Sequence, residues 1–213
     1  MLFRFVSLLT LASAAFAAPQ PRAVAPPTGF SITSLGFSGT GCPANTAHYV
    51  LASDRSYVNV TFSKFYAEAG PSIPVSSNRR NCALTFGVKV PPGFTFGVAS
   101  VDYRGYYQLD SKVTAAQQSI YYFQGQITQA TARSNLVGPV AGKSCLRASY
   151  FYRDNFDLVS TVFAPCGAST VLNINGEVRV NNQDNTKGSG YLANDSLDTS
   201  LKQTLNFLWQ TCK

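Results

Sequence analysis

Apolar and polar residues alternate with a period of two in segment after segment, the mark of half-buried β-strands. In "VNVTFSKF", Val58, Val60 and Phe62 fall on one face, and Asn59, Thr61 and Ser63 on the other. In "CALTFGVKV", Cys82, Leu84, Phe86, Val88 and Val90 share a face. Pro91-Pro92-Gly93 then stops the strand, because proline lacks a backbone donor and glycine accepts the turn. "FTFGV" restarts the alternation with Phe94, Phe96 and Val98, and the phase slips near Ser100-Val101, where a bulge or bend is expected. Beyond the slip, Val101, Tyr103, Gly105, Tyr107 and Leu109 form an apolar inward face. Asp102, Arg104, Tyr106, Gln108 and Asp110 form the outward one.

"SIYYFQGQITQAT" carries Tyr121, Phe123, Gly125 and Ile127 in one phase. "KSCLRASYFYRDNFDLVSTVFAPCG" reads as a hairpin turning at Asp154 to Asp157. "VLNINGEVRV" poses a conflict, since Asn175-Gly176 is a strong hairpin dipeptide. A two-residue turn there would set Ile174 opposite Glu177, whereas one strand keeps Leu172, Ile174, Val178 and Val180 together. Register follows the buried face, which predicts a single strand with Gly176 as a local bend. "SLKQTLNFLW" closes the pattern with Leu201, Leu205, Phe207 and Trp209 in phase, and helical signals are confined to single turns at "TAAQQS" and "NDSLDTSL". Nine to eleven short strands with turn-rich joints predict an all-β chain folded as an antiparallel β-sandwich.

The ends set the compartment. Arg4 precedes an apolar run too short to span a bilayer, and Ala15-Phe16-Ala17 fits a small-x-small cleavage site. Residues 1–17 are expected to be a signal peptide, 18–29 a Pro-rich linker or pro-segment, and 30–213 a single sandwich domain. "NFLWQTCK" lacks the hydrophobic tail of a lipid-anchor signal, so a secreted, extracellular product without a membrane anchor is expected. Charged residues make up 13% of the chain and the formal net charge is +7, but Arg79-Arg80 in "NRRN" is the only adjacent basic pair. Such scatter argues against nucleic acid, whose binders cluster Lys and Arg in a stripe. It suits an anionic polysaccharide or solubility alone.

Five cysteines occur, at 42, 82, 145, 166 and 212, and two disulfides with one spare thiol is the simplest outcome. Their long, irregular spacing argues against a zinc site. Across the hairpin above, Cys145 and Cys166 fall in phase, which predicts a bridge between them and leaves Cys212 odd. A Cys166–Cys212 bridge is the competing arrangement. Asn59-Val-Thr61 and Asn194-Asp-Ser196 are sequons for N-glycosylation.

The chemistry available to a catalyst is narrow. His48 is the only histidine, so metal sites built on two or three His do not form within one chain. No G-x-S-x-G elbow is present for a serine hydrolase. Asp184 among Asn181, Asn182 and Asn185 lacks the ligand order of an EF-hand, and neither metal nor cofactor is expected. Ten carboxylates leave a glycan hydrolase with an acid pair as a second reading. Outward aromatics are the more promising feature. Tyr106 and Tyr122, with Arg104 and Gln108, would make a platform for sugar rings or a partner surface if their strands adjoin. Tyrosine packing on an ordinary strand accounts for them equally well.

The ordered set "GTGCP" (Gly39 to Pro43), "NRRNC" (Asn78 to Cys82), "PPGF" (Pro91 to Phe94), "YRGY" (Tyr103 to Tyr106), "YYFQG" (Tyr121 to Gly125) and "APCG" (Ala164 to Gly167) resembles the secreted family named domain of unknown function 4360, over roughly residues 27 to 212. The resemblance implies an extracellular, largely fungal protein, suggests a Cys42–Cys82 bridge and assigns no catalytic residues. The leading expectation is a secreted, non-catalytic sandwich at a cell wall or host surface that binds polysaccharide or an extracellular protein. A structural wall protein is the third reading.

Overall fold

The computed structural model describes residues 23–139, 148–155, 161–193 and 203–212. Twelve strands run in chain order: β1 (Ser31–Ser38), β2 (Ala47–Leu51), β3 (Tyr57–Phe62), β4 (Tyr66–Ala69), β5 (Arg79–Lys89), β6 (Phe94–Leu109), β7 (Thr114–Phe123), β8 (Gln129–Val137), β9 (Ala148–Asn155), β10 (Ser169–Asn181), β11 (Gly190–Ala193) and β12 (Gln203–Thr211). They form two antiparallel sheets, β1-β5-β10-β7-β8 and β2-β3-β12-β6-β11-β4, with β9 added along β6. The fold is the predicted all-β sandwich, with one strand more than the upper expectation. Among the described residues, no helix is long and apolar enough to cross a membrane.

The alternation explains the layers. Leu84, Phe86 and Val88 of β5, Leu172, Ile174 and Val178 of β10, and Val58, Val60 and Phe62 of β3 all point into the space between the sheets. β10 is continuous through Asn175-Gly176, because its buried face overrides the turn dipeptide. A Cβ at Gly176 would meet the Phe65 ring at 3.3 Å, so the glycine makes room for that aromatic. The expected slip in β6 is a bulge: Phe207 pairs with Val98 and Asn206 with Ser100, leaving Ala99 over. Several polar groups inside the sandwich are partnered across it. The Tyr103 and Tyr121 hydroxyls hydrogen-bond each other across the sheets, and Gln203 Nε2 donates to Tyr121 Oη at 3.2 Å.

Several expectations are corrected. "TAAQQS" is the start of β7, not a helical turn, since Ala115 and Ala116 bury in a strand between β10 and β8. Ile127 does not continue β7 inward: Gly125 adopts a left-handed φ of 81° in the turn to β8, and Ile127 is fully exposed. The pairings on either side of the turn expected at Asp154 are not those of a hairpin. Asn155 pairs with Ser100 and Phe163 bridges Gly97, so both parts follow β6 in one sense. That course overturns the Cys145–Cys166 bridge. Gly167 N donates to Phe94 O at 2.9 Å and Thr211 pairs with Phe94, which brings Cys166 to the end of β12 and bonds it to Cys212. Cys145 lies outside the described residues, as do residues 1–22, "NDSLDTSL" beyond Asn194 and the sequon at Asn194 itself. Cys42 is bonded to Cys82. Of the Pro-rich stretch, Val24 N donates to Trp209 O at 3.0 Å and Pro27 is buried.

Candidate functional site

β6 and β7 are consecutive, yet the turn Asp110–Val113 steps from the larger sheet to the smaller. The predicted platform therefore does not assemble: Arg104, Tyr106 and Gln108 belong to the seven-stranded sheet, and Tyr122 to the outer face of the other.

On the seven-stranded sheet, Arg104 is exposed and Gln108 half-buried, but Tyr106 is only 7% exposed. The register explains why this outward residue is covered. Ala193 of β11 lies opposite both Tyr66 of β4 and Tyr106 of β6. Its small side chain leaves space for Tyr191, two residues earlier on the same face, to lie between them. Tyr66 and Tyr191 stack at 5.3 Å and 18°, Tyr191 and Tyr106 at 5.4 Å and 12°, and Tyr106 Oη donates to Tyr191 Oη at 3.3 Å. Ring faces that would receive a sugar are thus spent on one another. Beside the stack is a depression of about 230 Å³ lined by Glu68, Gln108, Ser189 and Tyr191 among others.

Asp102, the other polar residue of that face, is structural. It lies across from Arg153 of β9, whose Nε donates to Oδ1 at 2.5 Å and Nη2 to Oδ2 at 2.7 Å. These hydrogen bonds hold its carboxyl below the usual range, against the opposing effect of burial. A depressed folded pKa means that the unfolded chain takes the proton first. The pair's stabilisation is therefore complete above the ordinary aspartate value of about 3.9 and is lost as pH falls through the lower folded value. Thermal melts between neutral and strongly acidic pH should show wild type losing more below about pH 4 than Asp102→Asn does. Parallel acid limbs would refute the assignment.

The five-stranded sheet carries the larger feature. Its outward residues form rows across β10, β7 and β8: Asn181–Thr114–Val137, Arg179–Ala116–Asn135, Glu177–Gln118–Arg133, Asn175–Ile120–Thr131 and Asn173–Tyr122–Gln129. Thr114 and Ala116 of β7, between longer residues on both neighbours, sink a short groove at that end of the strand. It is a depression of about 400 Å³ walled by Arg179 and Asn181 on one side and Arg133, Asn135 and Val137 on the other. Beyond it Gln118, Ile120 and half-buried Tyr122 continue the outer face of β7. Arg133 Nε donates to Asn135 Oδ1 at 3.3 Å, and Arg79 of β5 donates to Glu177 Oε2 at 2.5 Å. Apart from Tyr122, none of these residues is a binding candidate in the sequence. The signal was the polar half of the alternation in "NINGEVRV" and "ATARSNLV", which reads as ordinary solvent face until the strands are placed side by side.

Glu68 and Glu177, the two glutamates, lie on opposite outer faces, and among the described residues neither depression is lined by two carboxylates. Nor do the described residues gather three or more His, Cys, Asp or Glu in a metal-binding group. His48 is exposed on edge strand β2. Asn59 is half-buried on β3, where Thr204 Oγ1 donates to its Oδ1 at 2.7 Å.

What fold and faces define is a disulfide-linked β-sandwich with a short polar groove on one sheet and a tyrosine stack on the other. The chain belongs to the family described as domain of unknown function 4360, which matches residues 28–212. It is 40% identical over 195 residues to an "Uncharacterized secreted protein" of Arthroderma benhamiae, covering 92% of this chain and 74% of the relative. Among solved structures it overlaps with TmCBM61 in complex with β-1,4-galactotriose at 12% identity and a TM-score of 0.27, covering 85% of this chain and 90% of that one. It also overlaps with the enzymatically active domain of bacteriophage CBA120 tailspike protein 4, at 14% identity and a TM-score of 0.24, covering 85% and 20%. Overlaps this loose carry no argument about ligand or activity.

Proposed function

We propose that this is a secreted polysaccharide-binding protein whose binding surface is the outer face of β7 and its neighbours. The rows across β10, β7 and β8 carry the reading: amide, hydroxyl and guanidinium side chains around a short groove at Thr114 and Ala116, with Tyr122 at the other end of the strand. Neutral sugar units need many directed hydrogen bonds and an occasional aromatic face, and that is the chemistry these rows present. The N-terminal pattern of the sequence and the secreted relative support an extracellular site of action. Glycans on Asn59 and Asn194 belong to the same reading. An extracellular protein partner is the competing occupant, and the spacing of carboxylates leaves hydrolysis without a comparable observation in its favour.

Retention on insoluble and soluble polysaccharides, measured for the disulfide-bonded protein, tests this. Tyr122→Ala and Gln118→Ala are each expected to weaken binding by about tenfold or more, as truncation of an anchoring contact does. Tyr57→Ala, an exposed change on the opposite sheet, should leave it unchanged. Retention that survives both changes on this face would sink it as the site.

A further inference from the structure

The depression beside the tyrosine stack lies on the larger sheet, across the sandwich from the face along β7. Glu68 of β4, Tyr191 of β11 and Gln108 of β6 stand in one cross-strand row on its outer side. Glu68 and Gln108 are half-buried and flank Tyr191 from strands about 10 Å apart, at two strand spacings. The Tyr191 ring leans away between Tyr66 and Tyr106, which leaves room above its own strand. Ser189, just ahead of β11, comes next on that side, and Gly70 beside it contributes no side chain. A Cβ at Gly70 would meet Ser189 Oγ at 2.9 Å and Ile73 Cγ1 at 3.4 Å. The result is a hollow of about 230 Å³ with Tyr191 toward one end and Ile73 toward the other. Among the described residues, the side chains of Glu68, Gln108 and Ser189 make no hydrogen bond or ion pair with the rest of the chain.

Such a set, rich in acceptors around one negative charge, matches a ligand rich in hydroxyl donors. A carboxylate accepts at both oxygens, so it takes two adjacent hydroxyls of a sugar ring at once, while the carboxamide and the serine hydroxyl both give and receive. Hydrogen bonds to a charged group are the stronger kind, which lets so small a site hold a neutral molecule. The volume is below the ~300–1,000 Å³ of sites that enclose a drug-sized ligand and admits one small unit. An acidic sugar would set its own carboxylate against Glu68. We propose that this hollow binds one neutral sugar residue, the end or a side branch of a glycan, through two adjacent hydroxyls on Glu68, with Gln108 and Ser189 holding others. With side chains at both ends, the hollow suits a terminal unit better than a chain passing through. The tyrosine faces beside it are spent on one another, so recognition rests on the polar groups. This site is separate from the face along β7, and neither depends on the other.

Amide NMR spectra of the disulfide-bonded protein, titrated with methyl β-glucoside, methyl α-mannoside, methyl β-galactoside, methyl β-glucuronide and methylammonium, test this. At least one neutral glycoside is expected to move the Gln108 side-chain amide and the backbone amides of Ser189 to Tyr191 saturably. Its affinity should be millimolar, as suits a ligand of about a dozen non-hydrogen atoms. The glucuronide should bind more weakly than the glucoside. Glu68→Ala should weaken binding about tenfold, the loss expected for a hydrogen-bonded charge, and Glu68→Gln should weaken it less. Gly70→Ala, which removes no polar group and puts a methyl group between Ser189 and Ile73, should weaken it too. Tyr122→Ala should leave these shifts unchanged. Signals away from the hollow, the same in every variant, separate lost binding from lost fold. No movement of the hollow's signals with any glycoside would overturn the site, as would binding that survives Glu68→Ala intact. Tighter binding of methylammonium than of every glycoside would replace the sugar with a cation. Movement confined to residues around Tyr122 would overturn this site and leave the face along β7 standing.

Discussion

Replacing Trp209 by alanine should lower stability by about 3–5 kcal/mol, the cost of emptying a large aromatic site. For a chain of this size that corresponds to a melting temperature lower by roughly 10 °C. The expectation rests on where the indole lies. Trp209 of β12 is 2% exposed, stacks on Phe96 of β6 at 5.1 Å and meets the edge of Phe30 at 4.8 Å. Phe96 in turn touches Phe207 at 5.2 Å and Phe123 of β7 at 5.4 Å, so the cluster reaches from one sheet to the other. Removing the indole strips ring contacts from Phe96 and Phe30, and close-packed interiors collapse only partly into such a gap. Among the described residues the indole N–H is buried without a hydrogen-bond partner, so Trp209→Phe sacrifices volume and no bond. It should cost clearly less than alanine. Denaturant unfolding of the three proteins decides this, and an alanine variant within about 1 kcal/mol of wild type would show that the cluster is not the centre of the core.

Removing the Cys42–Cys82 bridge by the double change to alanine should cost about 4 kcal/mol. The bridge closes 40 residues, and the chain-entropy estimate for a loop of that length gives this figure. Both cysteines are 1% exposed, and Cys82 lies on the inward face of β5 opposite Gly176 of β10. The bridge therefore fastens the connection after β1 onto the middle of the five-stranded sheet, with Phe65 packed close by. Because these two cysteines are shielded from solvent, mild reductant should leave this bridge intact in the folded protein while opening it at once in the unfolded chain. Unreduced melting of the double variant supplies the comparison. A midpoint equal to that of wild type would mean that the folded contacts hold this corner without the cross-link.

Local pattern carried the strands, and it carried them well where one face is apolar and the other wet. The alternation of Cys82 to Val90, the bulge beside Ser100 and the unbroken strand through Asn175-Gly176 are all set by burial of successive side chains. What a period of two does not contain is which sheet a strand joins. A platform of Tyr106 and Tyr122 needs their strands to adjoin, but the turn between those strands changes sheet. Tyr106 was read as outward, and it is, yet Tyr191 from 85 residues further along covers it. The bridge at Cys166 was misassigned for the same reason: hairpin phase favoured Cys145, while long-range pairing with β6 delivered Cys212. The arginine pair at Arg79 and Arg179 is likewise a product of register between distant strands.

The position of β12 bears on how this molecule is made. It is the last of the twelve strands to leave the ribosome, and it lies between β3 and β6 in the interior of the larger sheet. The five-stranded sheet needs nothing beyond Asn181, so the face that carries the groove has all its strands while synthesis is still under way. The larger sheet waits in two pieces. Until β12 is inserted, β3 and β6 each keep an open edge, and Phe96 and Phe30 lack the ring that covers them. A sandwich without its last strand is thus half-finished, and its apolar side is covered only when a strand of nine residues is in place and Cys212 reaches Cys166.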